Sequence, residues 1–292
     1  MVGKACKGLD TDDIGNPCLD KLDHFAGEEP AFAILVANGE EGFRLLGDFL
    51  NGHGWFEPFR CFQGFQGGFS HLPDGLAFGI STCYTSVNYK DITSEKFFDY
   101  MIDSGALFAW FFHYMPVGNG AAVELLPTPE QRTHVYNKIR EYRSTKALFT
   151  MDFQNDAEYV GGCIAGGRNY LHINAKGDVE PCVFIHYSNC NIHDTSLLDA
   201  LRSPLFMAYH DNQPFNDNML RPCPMLENPE ALRKMVKETG AVNTDYQSPE
   251  SVDHLCDKTT PYAENWLSTA DKLWYGCTDC ANCTKPCGGG EA

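Results

Sequence analysis

Two cysteines, Cys163 and Cys182, are presented by one predicted β-hairpin. Between them lie a short apolar strand at 170–173, a turn at Lys176-Gly177-Asp178 and a return strand from Val179. Glycines on both sides of Cys163 let the backbone approach a bulky inorganic group, whose sulfurs accept hydrogen bonds from backbone N–H groups. The pair therefore predicts thiolate ligands to a metal group, with two unmodified core cysteines as the alternative.

The spacing around the turn resembles a known family. Thirteen residues separate Cys163 from Gly177 and four more precede Cys182, with Asn-Ala-Lys-Gly-Asp-Val-Glu-Pro-Cys around the turn. This resembles the opening of the SPASM or twitch extension of radical S-adenosylmethionine (radical SAM) enzymes. The run from 151–156 through Pro222-Cys223-Pro224 is similar to the same family, so the resemblance covers about residues 76–270. It implies that the hairpin cysteines bind an auxiliary [4Fe–4S] cluster.

Further thiols follow the hairpin. Cys223 lies on a proline-stiffened loop, and helices are expected from Asn228 to about Gly240, from Ser248 through Cys256, and as a separate helix at 260–274. A cluster held by the hairpin, the loop and a helix would tie these elements together. The predicted ligands are Cys163, Cys182, Cys223 and Cys256. Cys190, in a polar turn, is the alternative fourth ligand, and Cys83, in an apolar strand, is predicted to belong to the core.

A second group of cysteines lies at the C-terminal end of the sequence. Cys277, Cys280, Cys283 and Cys287 have the spacing C-x2-C-x2-C-x3-C, which matches the run in bacterial-type ferredoxins. In two-cluster ferredoxins the fourth cysteine of such a run serves the other cluster, so Cys287 or a remote thiol completes the site. Four thiolates also suit tetrahedral Zn²⁺. The x2, x2, x3 spacing favours a second [4Fe–4S] cluster over zinc.

The composition excludes two classes of partner. Asp and Glu number 39 against 22 Lys and Arg, which leaves a net charge of -17 and a pI near 4.9. This is the wrong sign for a nucleic-acid-binding surface. The most apolar stretch, residues 106–112, is far shorter than the ~20 residues that cross a membrane, and it predicts a strand buried on both faces. No secretory signal pattern begins the sequence, so the thirteen cysteines are expected in a reducing, cytoplasmic compartment.

Residues 1–75 are an atypical N-terminal segment. Aromatic residues interleave with glycines in the stretch 51–69 without a helical or strand period. Three interpretations are open: an aromatic lid, an irregular subdomain, or a poorly ordered stretch that results from truncation or a reading-frame error. Cys6, Cys18 and Cys61 do not have the C-x3-C-x2-C spacing with which radical SAM enzymes bind their catalytic cluster, so no such cluster is predicted.

From residue 76 the predicted elements alternate regularly. Strands are expected at 76–83, 106–114 and 147–153, with helices at 94–104 and from Thr128 to about Tyr142. Thr128 to Gln131 supply an N-cap, an N1 proline and a capping-box glutamine, and Val135 and Ile139 share one face of the helix. The alternation predicts an α/β fold with right-handed parallel crossovers. By resemblance, these are the later units of a partial (βα) barrel of the radical SAM type.

Polar side chains follow the predicted strands. In barrels the chemistry gathers at the C-terminal ends of the strands, and family members bind the methionine and ribose parts of S-adenosylmethionine there. The resemblance therefore implies a cofactor-binding role for polar residues at these positions: Ser81, Thr82, His113, Asn119, Asp152 and Asn155. For His113 a plain hydrogen-bonded histidine is the alternative.

Three segments are predicted: an atypical segment at 1–75, a partial (βα) barrel at 76–160, and a small cysteine-rich α+β SPASM-like domain at 161–292. The resemblance implies radical-based modification of a peptide or small metabolite, with an electron donor such as a flavodoxin or ferredoxin. The alternative is a non-catalytic electron-transfer or cluster-carrier protein. A zinc-stabilised interaction module is a third and weaker interpretation.

Overall fold

The computed structural model describes residues 33–37 and 78–276, which form two compact units. Of the described residues, the first unit contains 33–37, 78–83, 90–111 and 139–151, and the second contains 84–89, 112–138 and 152–276. The predicted cysteine run at 277–287 and the N-terminal cysteines lie outside the described residues. Helices and strands are mixed along the chain, as the α/β prediction requires.

Four strands form one sheet in the order in which they occur along the chain. They are β1 (Ala33–Ala37), β2 (Phe78–Tyr84), β3 (Phe108–His113) and β4 (Phe149–Asp152). β1 runs parallel to β2. β2 is buried along almost its whole length, whereas β3 alternates between buried and half-buried side chains. The predicted burial of β3 on both faces was therefore wrong for one face, because successive side chains of a strand point to opposite faces and only one face of β3 is fully covered.

Three α-helices lie between these strands in the described part of the chain, and the sequence predicts the second and third but not the short first one. They are α1 (Tyr89–Ile92), α2 (Glu95–Asp103) and α3 (Pro129–Thr145). The Ser94 side chain caps α2 by accepting a hydrogen bond from the Phe97 N–H. At α3, Thr128 Oγ1 accepts from the Gln131 N–H at 3.3 Å and Gln131 Oε1 accepts from the Thr128 N–H at 2.9 Å. The predicted capping box is confirmed.

The rest of the described chain is richer in helices. Its elements are α4 (Ala157–Val160), β5 (His172–Ile173), β6 (Val179–Glu180), β7 (Tyr187–Ser188), α5 (Leu197–Ala200), α6 (Pro204–Asn212), α7 (Pro229–Thr239), β8 (Val242–Asn243) and α8 (Val252–Tyr275). β5 pairs with β6 and β7 pairs with β8, both antiparallel. α7 stops at Gly240, which has a left-handed backbone (φ 64°) as a C-terminal glycine usually does.

α8 is one continuous helix where the sequence predicts two. Its N-cap is Ser251, not Ser248, and Pro261 lies inside it. An internal proline costs about 3 kcal/mol because it removes one backbone hydrogen bond. The apolar face continues through the proline, however, with buried Cys256 before it and buried Tyr262 and Trp266 after it. Burial of that face offsets the cost of the proline. The sequence instead predicts the start of a separate helix at this proline.

One large group of apolar side chains, here called the main core, lies in the second unit. Its buried members include Cys182, Leu205, Tyr209, Leu226, Leu232, Cys256 and Trp266. Cys163, Tyr170 and Cys223 are partly buried and pack against it. Across the described residues no helix combines the length and the apolar character that a membrane crossing requires.

Candidate metal centre

The β5–β6 hairpin presents Cys182. His172 lies opposite Glu180, and their side chains meet at 2.7 Å between Nδ1 and Oε2. The turn needs Gly177, which has φ +90° and would bring a Cβ to 2.7 Å from the Asn191 side chain. Cys182 lies two residues beyond β6, and its carbonyl accepts a hydrogen bond from the Ile185 N–H at 3.0 Å. The cysteine is thus held in a closed turn at the end of the hairpin.

The loop that carries Cys163 is bonded to the same hairpin. The Gly166 N–H donates to the Pro181 carbonyl at 2.9 Å, so the loop lies directly beside the residue that precedes Cys182. Arg168 Nη1 donates to the Cys163 carbonyl at 2.9 Å. Gly166 has φ +68°, a conformation that side chains rarely adopt. The first two thiols are therefore brought together by backbone contacts between a glycine-rich loop and a hairpin.

Cys223 is held on a closed loop before α7. Glu227 Oε2 accepts a hydrogen bond from the Cys223 N–H at 2.8 Å. The Cys223 carbonyl in turn accepts from the backbone N–H groups of Glu227 (3.0 Å) and Asn228 (3.1 Å). Every polar backbone atom of this cysteine therefore has a partner, which fixes the backbone that carries its thiol.

The three thiols share one environment. Cys182 is buried, and Cys163 and Cys223 are half-buried against the main core. Burial raises the pKa of Cys163 to about 12 and the pKa of Cys223 well above its usual value, and each of the two is raised further by its neighbours among the three thiols. Burial also raises the pKa of Cys182, although the Tyr170 hydroxyl opposes this by donating to Cys182 Sγ at 3.2 Å. Without metal these groups are neutral thiols that a bound metal must deprotonate.

A buried polar network lies beside the Cys223 loop. Arg132 is fully buried and donates from Nη1 to Glu227 Oε1 at 2.7 Å, and from Nε to Asn155 Oδ1 at 2.9 Å. Its guanidinium stacks on the Trp266 ring at 4.3 Å from the ring centroid. Asn155 Nδ2 donates to Asp152 Oδ2 at 2.8 Å. One cation thus joins the end of β4 to the loop of the third thiol.

His113 belongs to the same network and is a neutral imidazole. Its Nδ1 lies 2.6 Å from the Tyr114 carbonyl, which can only accept, so Nδ1 carries the proton. Its Nε2, 2.6 Å from the Tyr262 hydroxyl, therefore accepts. Burial lowers the pKa of His113 well below its usual value, and the charge of Arg132 lowers it further. The histidine is a hydrogen-bonded link, which is the plainer of its two sequence interpretations.

The segment that carries Cys163, Cys182 and Cys223 is similar to a known protein family. Residues 163–225 match the SPASM family, described as an iron–sulfur cluster-binding domain. The match is limited to these residues, which are called the SPASM segment below. No curated protein sequence is significantly similar to the chain.

Solved structures with related chain traces were also found, at low similarity. SuiB from Streptococcus suis, bound to S-adenosylmethionine, has a TM-score of 0.47 and 16% identity over 71% of this chain and 51% of SuiB. anSMEcpe, with bound AdoMet and Cp18Cys peptide, has a TM-score of 0.40 and 13% identity over 84% of this chain and 70% of its own. The chain spans about half the length of SuiB.

The two candidates for a fourth SPASM ligand lie in different places. Cys256, on α8, is buried in the main core, and its thiol donates to the Pro229 carbonyl at 3.2 Å. Cys190 packs instead against a separate small cluster of Val179, Ala200 and Phe206. Cys256 thus shares a core with the other three cysteines, whereas Cys190 does not. The choice of fourth ligand stays a prediction, since the tail cysteines lie outside the described residues.

The donor set of residues 163–225 suits an iron–sulfur cluster, since three of its thiols lie on the main core. Among residues 33–37 and 78–276, no group of three or more Cys, His, Asp and Glu side chains is arranged to hold one metal ion. A [4Fe–4S] cluster binds each cysteine at a different iron atom. The hydroxyl of Tyr209, a fully buried residue, also has no hydrogen-bond partner among the described residues. A cluster with several sulfur acceptors suits that environment.

The polar residues predicted at strand ends are not all alike. Ser81 and Thr82 are buried within β2. Asn119 is exposed, and its N–H donates to Ser248 Oγ at 3.0 Å. The remaining three, His113, Asp152 and Asn155, share the buried network. Their role in binding S-adenosylmethionine stays a prediction.

Sequence reasoning missed Arg132 and Glu227, the centre of that network. Arg132 lies three and seven residues before Val135 and Ile139, so it shares their buried helix face. Glu227 follows Cys223 by four residues, within reach of its N–H. A charged residue in register with a predicted core face was the available signal.

Proposed function

We propose that this chain is an iron–sulfur protein of the radical SAM/SPASM type, in which Cys163, Cys182 and Cys223 ligate an auxiliary [4Fe–4S] cluster. The supporting observation is that these three thiols, all within the segment that matches the SPASM domain, share one environment on the main core. Cys256 is the proposed fourth ligand. The cluster would supply one-electron transfer or a binding site for substrate.

The protein's own groups prepare that site. Backbone hydrogen bonds fix the glycine-rich loop beside the hairpin and close the Cys223 loop. The Tyr170 hydroxyl donates to Cys182 Sγ, and the same bond would stabilise a thiolate there. Burial by the main core excludes water, which protects a cluster from hydrolysis and shifts its potential.

The tail cysteines Cys277, Cys280, Cys283 and Cys287 are proposed to hold a second [4Fe–4S] cluster. Their spacing supports this, since it matches a ferredoxin run. The proposed reaction is radical modification of a peptide or small metabolite, with an electron donor such as a flavodoxin or ferredoxin. Polar groups at the strand ends, Ser81, Thr82, His113, Asn119, Asp152 and Asn155, are the proposed contacts for S-adenosylmethionine.

Metal analysis tests the iron–sulfur proposal. Protein purified without oxygen should be brown and contain more than about four iron and four sulfide atoms per chain when both sites fill. Stoichiometric zinc without sulfide would overturn it. The Cys182→Ala variant should lose about four iron atoms, which assigns one cluster to the SPASM segment.

A non-catalytic electron carrier is the second candidate, and a specific observation favours it. No C-x3-C-x2-C run occurs in the sequence, and reductive cleavage of S-adenosylmethionine needs a cluster with three thiolates and one open iron. The sequence as it stands should therefore form no 5′-deoxyadenosine when the reconstituted, dithionite-reduced protein is given S-adenosylmethionine. Several turnovers, abolished by replacing Cys277, Cys280 or Cys283, would instead identify the tail cluster as catalytic.

A further inference from the structure

The hydroxyl of Tyr209 is in an unfavourable place for a polar group. Tyr209 lies on α6, is 0% exposed, and its hydroxyl has no hydrogen-bond partner among the described residues. A buried hydroxyl without a partner costs about 1–3 kcal/mol. Phenylalanine would fill the same space without that cost, so packing alone does not account for the hydroxyl.

Tyr209 shares the main core with the three proposed ligands Cys163, Cys182 and Cys223. Gly166, in the loop after Cys163, lies so close that a Cβ there would be 2.5 Å from the Tyr209 Cβ. Cys182 is buried in the same main core, and Cys163 and Cys223 pack against it. Burial raises the pKa of Tyr209 well above its usual value, and the three thiols raise it further. Tyr209 thus packs against the loop of the first proposed ligand, in the core that contains Cys182 and that Cys163 and Cys223 contact.

The ring itself is held in place. It packs edge-on against Phe215, with the ring centroids 5.3 Å apart. Gln213, just beyond α6, donates from Nε2 to the Ala165 carbonyl at 3.0 Å and so ties the helix end to the Cys163 loop. Because the ring is fixed and fully buried, its hydroxyl cannot reach water. A hydrogen-bond partner for the hydroxyl must therefore lie inside the core.

We propose that the Tyr209 hydroxyl donates a hydrogen bond to a sulfur atom of the cluster held by Cys163, Cys182 and Cys223. This rests on the proposed function. This role is like that of Tyr170, whose hydroxyl donates to Cys182 Sγ at 3.2 Å. Reduction adds negative charge to the cluster and its sulfurs, so a donor stabilises the reduced form more than the oxidised form and raises the reduction potential.

A redox titration followed by electron paramagnetic resonance tests the inference on the full chain. The signal of the SPASM cluster is identified as the one that Cys182→Ala removes. Tyr209→Phe should make reduction of that cluster about fivefold less favourable, a potential about 40 mV lower at about 59 mV per tenfold for one electron. Tyr187→Phe is the matched control, because Tyr187 is buried in the same core but its hydroxyl donates to the Glu250 carbonyl at 2.8 Å.

The outcomes separate the two proposals. An unchanged potential in Tyr209→Phe, or an equal shift in Tyr187→Phe, overturns the role of Tyr209 while the iron–sulfur proposal stands. Wild-type protein without iron and sulfide overturns both. If Tyr209→Phe does not fold, 3-fluorotyrosine at position 209 supplies a stronger donor in the same space and should raise the potential; no rise overturns the inference.

Discussion

Arg132 and Glu227 form an ion pair, 2.7 Å between Nη1 and Oε1, in which both side chains are completely buried. The other carboxylate oxygen of Glu227 accepts from the Cys223 N–H at 2.8 Å. A buried pair of this kind is costly to break, because the remaining charge has no solvent. The loop of the third proposed ligand therefore depends on a residue 91 positions earlier in the chain.

Arg132→Leu should lower the free energy of unfolding by about 3–5 kcal/mol, since Glu227 is left buried without its cation. Replacing both residues with leucine should recover much of that loss. Urea unfolding monitored by circular dichroism is the measurement. Lys237→Ala, which removes a surface ion pair to Asp253 (2.6 Å, both side chains about half exposed), should cost under about 1 kcal/mol. If Arg132→Leu and Lys237→Ala lowered the free energy of unfolding by similar amounts, the buried ion pair would matter no more to stability than the surface pair.

His113 should make stability fall with acid. Its pKa in the folded protein is lowered by burial and by Arg132, so below about pH 6.5 the unfolded chain binds a proton that the folded chain excludes. Unfolding free energy should therefore decrease by up to about 1.4 kcal/mol per pH unit on acidification through this range. The other ionisable groups around the ring are Tyr84 and Tyr262, which contact it, and Arg132, whose charge acts on it; none of them titrates in this range.

The check is urea unfolding from pH 8 to pH 5.5 in wild type and His113→Gln, whose side chain does not titrate. The variant should show a flatter pH dependence. His210→Gln is the control, because His210 is exposed and pairs with Asp211 on the surface. A slope unchanged by His113→Gln would rule out the histidine as its source.

Two glycines with the same backbone conformation should respond very differently to alanine. Gly166 has φ +68° and a Cβ there would collide with the Tyr209 side chain at 2.5 Å, whereas Gly240 has φ +64° and open space around it. Gly240→Ala should cost only the left-handed strain of about 1–2 kcal/mol. Gly166→Ala should cost about 1–3 kcal/mol more and reduce the iron content, since the collision displaces the Cys163 loop. Equal losses of stability and iron in the two variants would mean that the Tyr209 side chain moves aside at little energetic cost.

The fourth ligand can be identified by iron content. Cys256→Ala should lower iron by as much as Cys182→Ala, about four atoms per chain, whereas Cys190→Ala should leave it nearly unchanged. The reason is that Cys256 shares the main core with the other thiols and Cys190 packs elsewhere. The reverse order would assign Cys190, and no loss in either variant would point to a tail cysteine.

Removing residues 277–292 should leave the SPASM cluster intact. The deletion retains Gly276, whose N–H donates to the Lys272 carbonyl at 3.1 Å and closes α8. About four iron atoms per chain should remain, with the signal that Cys182→Ala abolishes. Complete loss of iron would show that the two cysteine groups share ligands.

Features encoded by neighbouring residues were predictable from the sequence. The capping box at Thr128, the end of α7 at Gly240 and the hairpin turn at Gly177 are all present in the structure. Each depends on interactions within a few residues, so side-chain type and spacing suffice. The SPASM resemblance belongs to this class too, because its signature is the short spacing from Cys163 to Cys182.

The tertiary structure decided what depends on distant residues. α8 continues through Pro261, because burial of one helix face outweighs the energetic cost of an internal proline. The tertiary structure also paired Arg132 with Glu227, and it packed Tyr209 against the Cys163 loop with no hydrogen-bond partner for its hydroxyl among the described residues. Such contacts join residues tens of positions apart, and their energies come from excluding water around a shared core. Periodicity along a single chain records that a face is buried, but not which partner buries it.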